Sequence, residues 1–185
     1  GKRLDEVGRI HGKDADETVI DLVIKDKSPI GAVYYQQSEE NIRKIIQQPY
    51  VSFGSDGASM SDAGVFKDWD THPRAYGTFA RILARYVREE KLIPLEEAVR
   101  RLSGLPAANL KLDRRGKLAV GYYADLAIFD AATIWDRATF DNPKQYAEGM
   151  KHVFVNGVQV LRNGEHTGAK PGRVVRGHGY LKVIP

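Results

Sequence analysis

The stretch with the most chemical promise is Val51-Ser52-Phe53-Gly54-Ser55-Asp56-Gly57. Val51 to Phe53 reads as the end of a short buried strand. Gly54 and Gly57 read as the tight turn after it, because glycine accepts positive φ without steric cost. That geometry lifts one carboxylate, Asp56, to the carboxyl end of a strand. In α/β barrels and open α/β sheets this is the edge where reacting groups are placed. The competing fate of a turn aspartate is an Asx turn, in which the carboxylate bonds its own backbone.

Other chemistries are narrowed by what the sequence lacks. It has no cysteine, which excludes disulfides and thiolate metal sites within these residues. The histidines are His11, His72, His152, His166 and His178. None forms His-x-His and no two have helical ligand spacing, so each reads as a surface, cap or loop residue rather than a metal ligand. The apolar share of 42% is enough for a core, and the formal charge is +4. Lys and Arg are interspersed with Asp and Glu, leaving no footprint for a nucleic acid or a membrane, and neither is expected as a partner. No apolar run approaches membrane-spanning length and no signal-peptide pattern opens the chain. The opening Gly1-Lys2-Arg3-Leu4 lacks Met and is already helix-like, so the natural N-terminus is expected elsewhere. The expected location is cytoplasmic.

The elements that must position Asp56 follow from periodicity. Leu4, Val7, Ile10 and His11 have helical spacing, and Gly12 ends the turn. Asp16 is the expected cap of a second helix with Val19, Ile20, Val23 and Ile24 on one face, stopped by Ser28-Pro29. Ile30 to Tyr35 has the size and character of a buried strand. Ser38 caps a helix carrying Ile42, Ile45 and Ile46, and Pro49 closes it. Strand, helix, strand over so short a span predicts a βαβ crossover, with Ile30 to Tyr35 parallel to Val51 to Phe53. A polar loop runs from Ala58 to His72. Pro73 then starts the longest helix, with Tyr76, Phe79, Ala80, Leu83, Tyr86 and Val87 aligned. Pro94 starts another, with Leu95, Ala98, Val99 and Leu102 aligned, which Ser103-Gly104 is expected to end before a short turn from Pro106 to Leu110. Further on, Ala124 to Phe129 is strand-like. Lys151 to Val155 and Val158 to Leu161 flank Asn156-Gly157, a strong hairpin signal. A two-residue turn there predicts Val155 opposite Val158 and Val153 opposite Val160. Gly168 to Arg176 reads as irregular surface.

The order of these blocks carries a resemblance. Gly54-Ser55-Asp56-Gly57, then His72-Pro73-Arg74-Ala75-Tyr76-Gly77-Thr78-Phe79, Ser103-Gly104-Leu105-Pro106-Ala107-Ala108, Gly121 through Ala124-Asp125-Leu126-Ala127-Ile128-Phe129-Asp130, and Val155-Asn156-Gly157-Val158 together resemble the amidohydrolase superfamily. Ala138-Thr139-Phe140, Thr167-Gly168 and Pro171-Gly172-Arg173 fit the same pattern. More narrowly, the set is similar to the N-acyl-D-amino-acid deacylases, or D-aminoacylases, from the Ser38 helix start to Arg176. The resemblance implies an α/β fold: the last two strands and helices of a (β/α)₈ barrel in residues 1–112, and the C-terminal part of a small β-sandwich with its tail in residues 113–185. It implies one or two divalent metals, usually zinc, with Asp56 as the last-strand aspartate, acting both as a metal contact and as the proton shuttle. The family's His-x-His is absent here, and a full barrel takes about 250 residues. The chain is therefore expected to be the last third of such an enzyme, completed by a missing N-terminal part or another chain and inactive alone.

Within that resemblance two further residues stand out. Arg74 has the planar fork that clamps a carboxylate, as an N-acyl amino acid substrate would require. Its plainer role is a solvated arginine in the first turn of a helix. His72 is placed to help the same loop close over substrate, or simply to cap the helix that Pro73 starts. The implied activity is metal-dependent hydrolysis of N-acyl-D-amino acids to a carboxylate and a free D-amino acid. The alternatives are a cyclic-amide hydrolase, such as a dihydroorotase or hydantoinase, and a non-catalytic fragment that only packs against another chain.

Overall fold

The computed structural model describes residues 2–27, 30–32, 34 and 36–177. They fall into two compact units, residues 1–38 and 39–185. The division anticipated at 112/113 lies inside the second.

The first unit is a helical pair, α1 (Leu4–His11) and α2 (Ala15–Asp26). Gly12 ends α1 in the left-handed region at φ 64, as its position predicts. The cap of α2 is Asp14 rather than Asp16. Its side chain accepts the Glu17 N–H at 2.8 Å, so Asp16 sits in the first turn, where its charge still complements the helix dipole. The stop assigned to Ser28-Pro29 lies outside the described residues. Ile30, Gly31, Ala32 and Tyr34 form no strand, and Val33 and Tyr35 lie outside the described residues.

The second unit is built on helices. α3 (Glu39–Ile46) packs on a long helical rod, α4 (Arg74–Arg81) continued by wider i→i+5 turns over Ile82–Glu89. The change of pitch rotates the apolar stripe. Ile82 and Ala84 join Ala80, Leu83 and Tyr86 in the core, while Phe79 remains 50% exposed. A second rod comprises α5 (Leu95–Val99), wide turns over Arg100–Gly104 and α6 (Leu105–Asn109). Ser103-Gly104 does not end it. Gly104 is right-handed, with φ −64 and ψ −43, and the wide turns take up the proline that follows. Ile46, Leu83, Tyr86, Ile93, Ala98 and Ile134 form the centre of the core, with Phe53, Phe129 and Met150 packed against it.

The remaining elements form a four-stranded antiparallel meander in the order β1 (Leu126–Phe129), β2 (Met150–Val155), β3 (Val158–Arg162) and β4 (Glu165–His166). Asn156 and Gly157 both have positive φ, 49 and 82, which matches the right-handed twist of the flanking strands. Val155 faces Val158 as expected. A register shift after Val153 then sets Val153 against Leu161 instead of Val160, so the all-valine face is broken. Asn163-Gly164 repeats the turn with φ 52 and 86 and adds β4, beyond the expected end of the hairpin.

The expected parallel strand pair is not seen among the described residues. Val51 to Phe53 lies in irregular chain. The Val51 N–H bonds Gln48 O at 3.2 Å and the Phe53 N–H bonds Arg101 O at 3.4 Å, so these groups are taken by a turn and a helix rather than by a strand. A strand is defined by its ladder, and an apolar run without one remains loop.

Two carboxylates join α3 to the rod. Glu39 meets Arg81 at 3.1 Å, Arg85 at 3.3 Å and the Tyr86 hydroxyl at 3.0 Å. Glu90 accepts Arg43 at 2.7 and 2.9 Å and Arg85 at 2.9 Å. Those hydrogen bonds hold the Glu90 carboxyl down at about 2, against an ordinary 4.5. A depressed folded-state pKa contributes stability that is complete above the unfolded value and is lost as pH falls through the folded one. Thermal denaturation of wild type and Glu90→Gln should therefore show a gap in melting temperature near neutral pH that narrows below about 4.5 and closes near 2. A gap that stays constant across that window would show that Glu90 carries no such linkage.

Candidate active site

The Asp56 turn differs from its expected geometry in an informative way. Neither Gly54 nor Gly57 is left-handed; the positive φ falls on Asp56 itself, at 48. Aspartate is among the few non-glycine residues that tolerate this region. Gly57 is needed for a different reason. A Cβ there would lie 2.7 Å from the Ala75 Cα, so the turn rests directly on the backbone of α4. In the turn the Gly57 N–H bonds the Ser55 hydroxyl at 3.2 Å. The Asp56 carboxylate points to solvent, 87% exposed, with Oδ2 3.1 Å from Arg74 Nη2.

Arg74 is the first residue of α4 and is half exposed. An ion pair this open contributes roughly 0–1 kcal/mol, so it orients the two groups without holding the fold. One Arg74 nitrogen faces Asp56, leaving other donors of the fork for an anion. His72 Nδ1 accepts the Arg74 backbone N–H at 3.0 Å, which places the imidazole proton on Nε2. Burial, and then the Arg74 charge, lower the His72 pKa and favour the neutral ring. His72 thus ties down the start of α4 through the Arg74 N–H, one residue ahead of the N-cap Pro73, and it meets Phe140 edge to face at 5.0 Å. The three residues singled out by sequence, Asp56, His72 and Arg74, lie together.

The loop from Ala58 to His72 is tied down by Tyr76 and by two residues, Lys144 and Tyr146, whose role the sequence did not signal. Tyr146 donates to Asp62 Oδ1 at 3.0 Å, Lys144 donates to the Phe66 and Lys67 carbonyls at 2.8 and 2.6 Å, and Tyr76 donates to Met60 O at 3.1 Å. Tyr76 lies in the His72–Phe79 block, while the only sequence trace of Lys144 and Tyr146 is the Ala138-Thr139-Phe140 block just before them. His152 in β2 and His166 in β4 accept backbone N–H groups of the adjoining turns on Nδ1, and His178 lies outside the described residues. Among the described residues, no group of three or more His, Cys, Asp or Glu is close enough to hold a metal ion. Asp56, exposed and acceptor-only when ionised, fits as one oxygen donor of such a set and no more.

Residues 11–161 match the model of the family described as "Amidohydrolase family". This chain belongs to that amidohydrolase family. It is 40% identical to the D-aminoacylase of Alcaligenes xylosoxydans xylosoxydans over 175 residues, covering 95% of the chain and 34% of the relative. A solved D-aminoacylase with a binuclear metal centre superposes with a TM-score of 0.81 at 39% identity, over 95% of this chain and 34% of that one. The N-acyl-D-glutamate deacylase of Bordetella bronchiseptica, solved with zinc and a phosphonate inhibitor, does so with a TM-score of 0.76 at 36% identity, again over 95% and 34%. The amidohydrolase chain thus spans about a third of the length of the curated relatives it matches.

Because a Cβ on residue 57 of this amidohydrolase would meet backbone rather than a flexible side chain, Gly57→Ala cannot be absorbed by a rotamer change. Overpacking of this kind costs about 1–3 kcal/mol. Urea unfolding of Gly57→Ala should show a loss on that scale, whereas Gly54→Ala, with open space around it, should stay within about 1 kcal/mol. Equal losses at the two glycines would remove the case for contact between the turn and α4.

Proposed function

We propose that the complete protein hydrolyses the amide bond of N-acyl-D-amino acids, releasing a carboxylate and a free D-amino acid. The observation that carries this reading is the Asp56–Arg74 pair, a solvent-facing carboxylate 3.1 Å from a guanidinium at the start of a helix. The similarity to D-aminoacylase and N-acyl-D-glutamate deacylase supports it. In this reading residues 1–112 are the end of a (β/α)₈ barrel and residues 113–185 part of a β-sandwich, the remaining strands and metal ligands coming from the rest of the enzyme.

Asp56 would supply one oxygen to a divalent metal; as general base its carboxylate takes a proton from the attacking water and delivers that proton to the departing amine nitrogen. A divalent metal, when bound, would supply Lewis acidity to the water and to the scissile carbonyl. Arg74 receives the carboxylate of the amino-acid half on its free donors and so fixes the distance between that carboxylate and the amide to be cut. His72 keeps the first turn of α4 in place beneath Arg74.

Asp56→Asn in the complete enzyme keeps the shape and removes the proton acceptor. Turnover of N-acetyl-D-amino acids should fall by about 10² to 10⁴, with folding unchanged by circular dichroism. Near-normal turnover in Asp56→Asn would return Asp56 to being a turn residue. Faster hydrolysis of dihydroorotate or hydantoin than of N-acetyl-D-amino acids by the wild type would favour the cyclic-amide reading instead.

A further inference from the structure

Arg101 is fully buried, at 0% exposure, and forms no ion pair among the described residues. A guanidinium taken from water without a carboxylate is tolerated only where other acceptors replace its hydration. Its acceptors are backbone carbonyls of one short segment, which take Nε and Nη1 and leave the buried Nη2 without a partner among the described residues. Nη1 donates to Ile46 O, at the last residue of α3, where the helix dipole also favours a cation, and Nε donates to Val51 O at 2.6 Å. The guanidinium lies over the Phe53 ring, 4.4 Å from its centroid. The backbone of Arg101 completes the grip, its carbonyl accepting the Phe53 N–H at 3.4 Å. The neighbouring Arg100, held by Glu97 at 2.7 and 2.8 Å, donates to Pro49 O at 2.7 Å.

The held segment ends at Phe53, and the Asp56 turn begins at the next residue. On its far side the turn is stopped by the contact of Gly57 with Ala75. The turn is thus fixed at both ends, by a buried arginine and by a helix backbone. We infer that Arg101 is a positioning residue for Asp56, setting the height and direction of its carboxylate by fixing the chain from Ile46 to Phe53. This inference rests on the catalytic reading of Asp56 and adds to it a residue that touches neither substrate nor metal.

The test is a double-mutant cycle in the complete enzyme, with Arg101→Lys and Arg101→Met, each alone and combined with Asp56→Asn. Lysine keeps the charge but cannot hold two carbonyls at once with a planar fork. Displacing a reacting group by about 1 Å can cost 10²-fold. Arg101→Lys and Arg101→Met should accordingly lose about 10- to 100-fold in kcat, with KM changed less than about twofold. Neither should slow the Asp56→Asn enzyme further, because the group they position is already disabled. Multiplicative losses in the double variants, or unchanged kcat in the single ones, would overturn the positioning role. A normal turnover of Asp56→Asn alone would instead overturn the reading of Asp56. Hydrogen exchange on the wild type gives a readout independent of activity and of variant folding. The Val51 and Phe53 amides should exchange more slowly than those of residues 58–72, and equal rates would defeat the proposal.

Discussion

Every backbone carbonyl that leaves water needs an acceptor's partner, and the segment between α3 and Asp56 has no strand in the described structure to supply one. Its solution is two consecutive arginines on one helix turn, reaching Ile46 O, Pro49 O and Val51 O. The wide turns over Arg100–Gly104 are where these side chains originate, so the departure from regular α-helix coincides with the anchor. Core and site are joined through it. Phe53 packs on the core cluster from one side and lies under the guanidinium from the other, and the residues that follow carry the carboxylate.

The arrangement separates strong interactions from replaceable ones. Glu39 and Glu90 each meet several arginines, and the fork geometry shared among Arg43, Arg85 and Glu90 fixes how α3 lies on the rod. Asp56 and Arg74 meet only once, in the open, where solvent and any incoming anion compete on equal terms. A scaffold pair benefits from multiplicity. A pair proposed to accept substrate benefits from weakness, because each bond it makes in the free state would have to be exchanged on binding.

The sequence was most legible where local chemistry alone decides the outcome. Apolar spacing located the helices, Gly12 ended α1, and Asn156-Gly157 made the turn its positive φ values require. It was least legible where a distant partner decides. Val51 to Phe53 has strand composition, yet the Val51 carbonyl and the Phe53 N–H bond Arg101, about fifty residues on, and nothing about the second of two consecutive arginines in an amphipathic helix announces that it is buried. The break between Val153 and Val160 is a register shift within the ladder, which alternation cannot foresee. Asp14 won the cap of α2 over Asp16 by two residues, a choice set by which oxygen reaches the Glu17 N–H. Asp56, His72 and Arg74 were found because motif residues around a turn and a helix start stay close in space. Lys144 and Tyr146 were not, since they reach their loop from a segment almost eighty residues away or more.

The Asp56 turn itself joins these threads. A left-handed φ would be accommodated with less strain by glycine, and glycines stand nearby at positions 54 and 57, yet the strained conformation falls on the residue with the carboxylate. Backbone strain of this kind persists only where the surroundings over-determine it. Here they do so through Phe53 on one side and the Gly57–Ala75 approach on the other. Gly57 has no side chain because α4 occupies that space, and residue 56 carries the carboxylate to which the proposed function assigns the proton transfer. The conformation that turns the carboxylate toward solvent and Arg74 is therefore maintained by the scaffold rather than by the exposed ion pair, which is too weak to impose it.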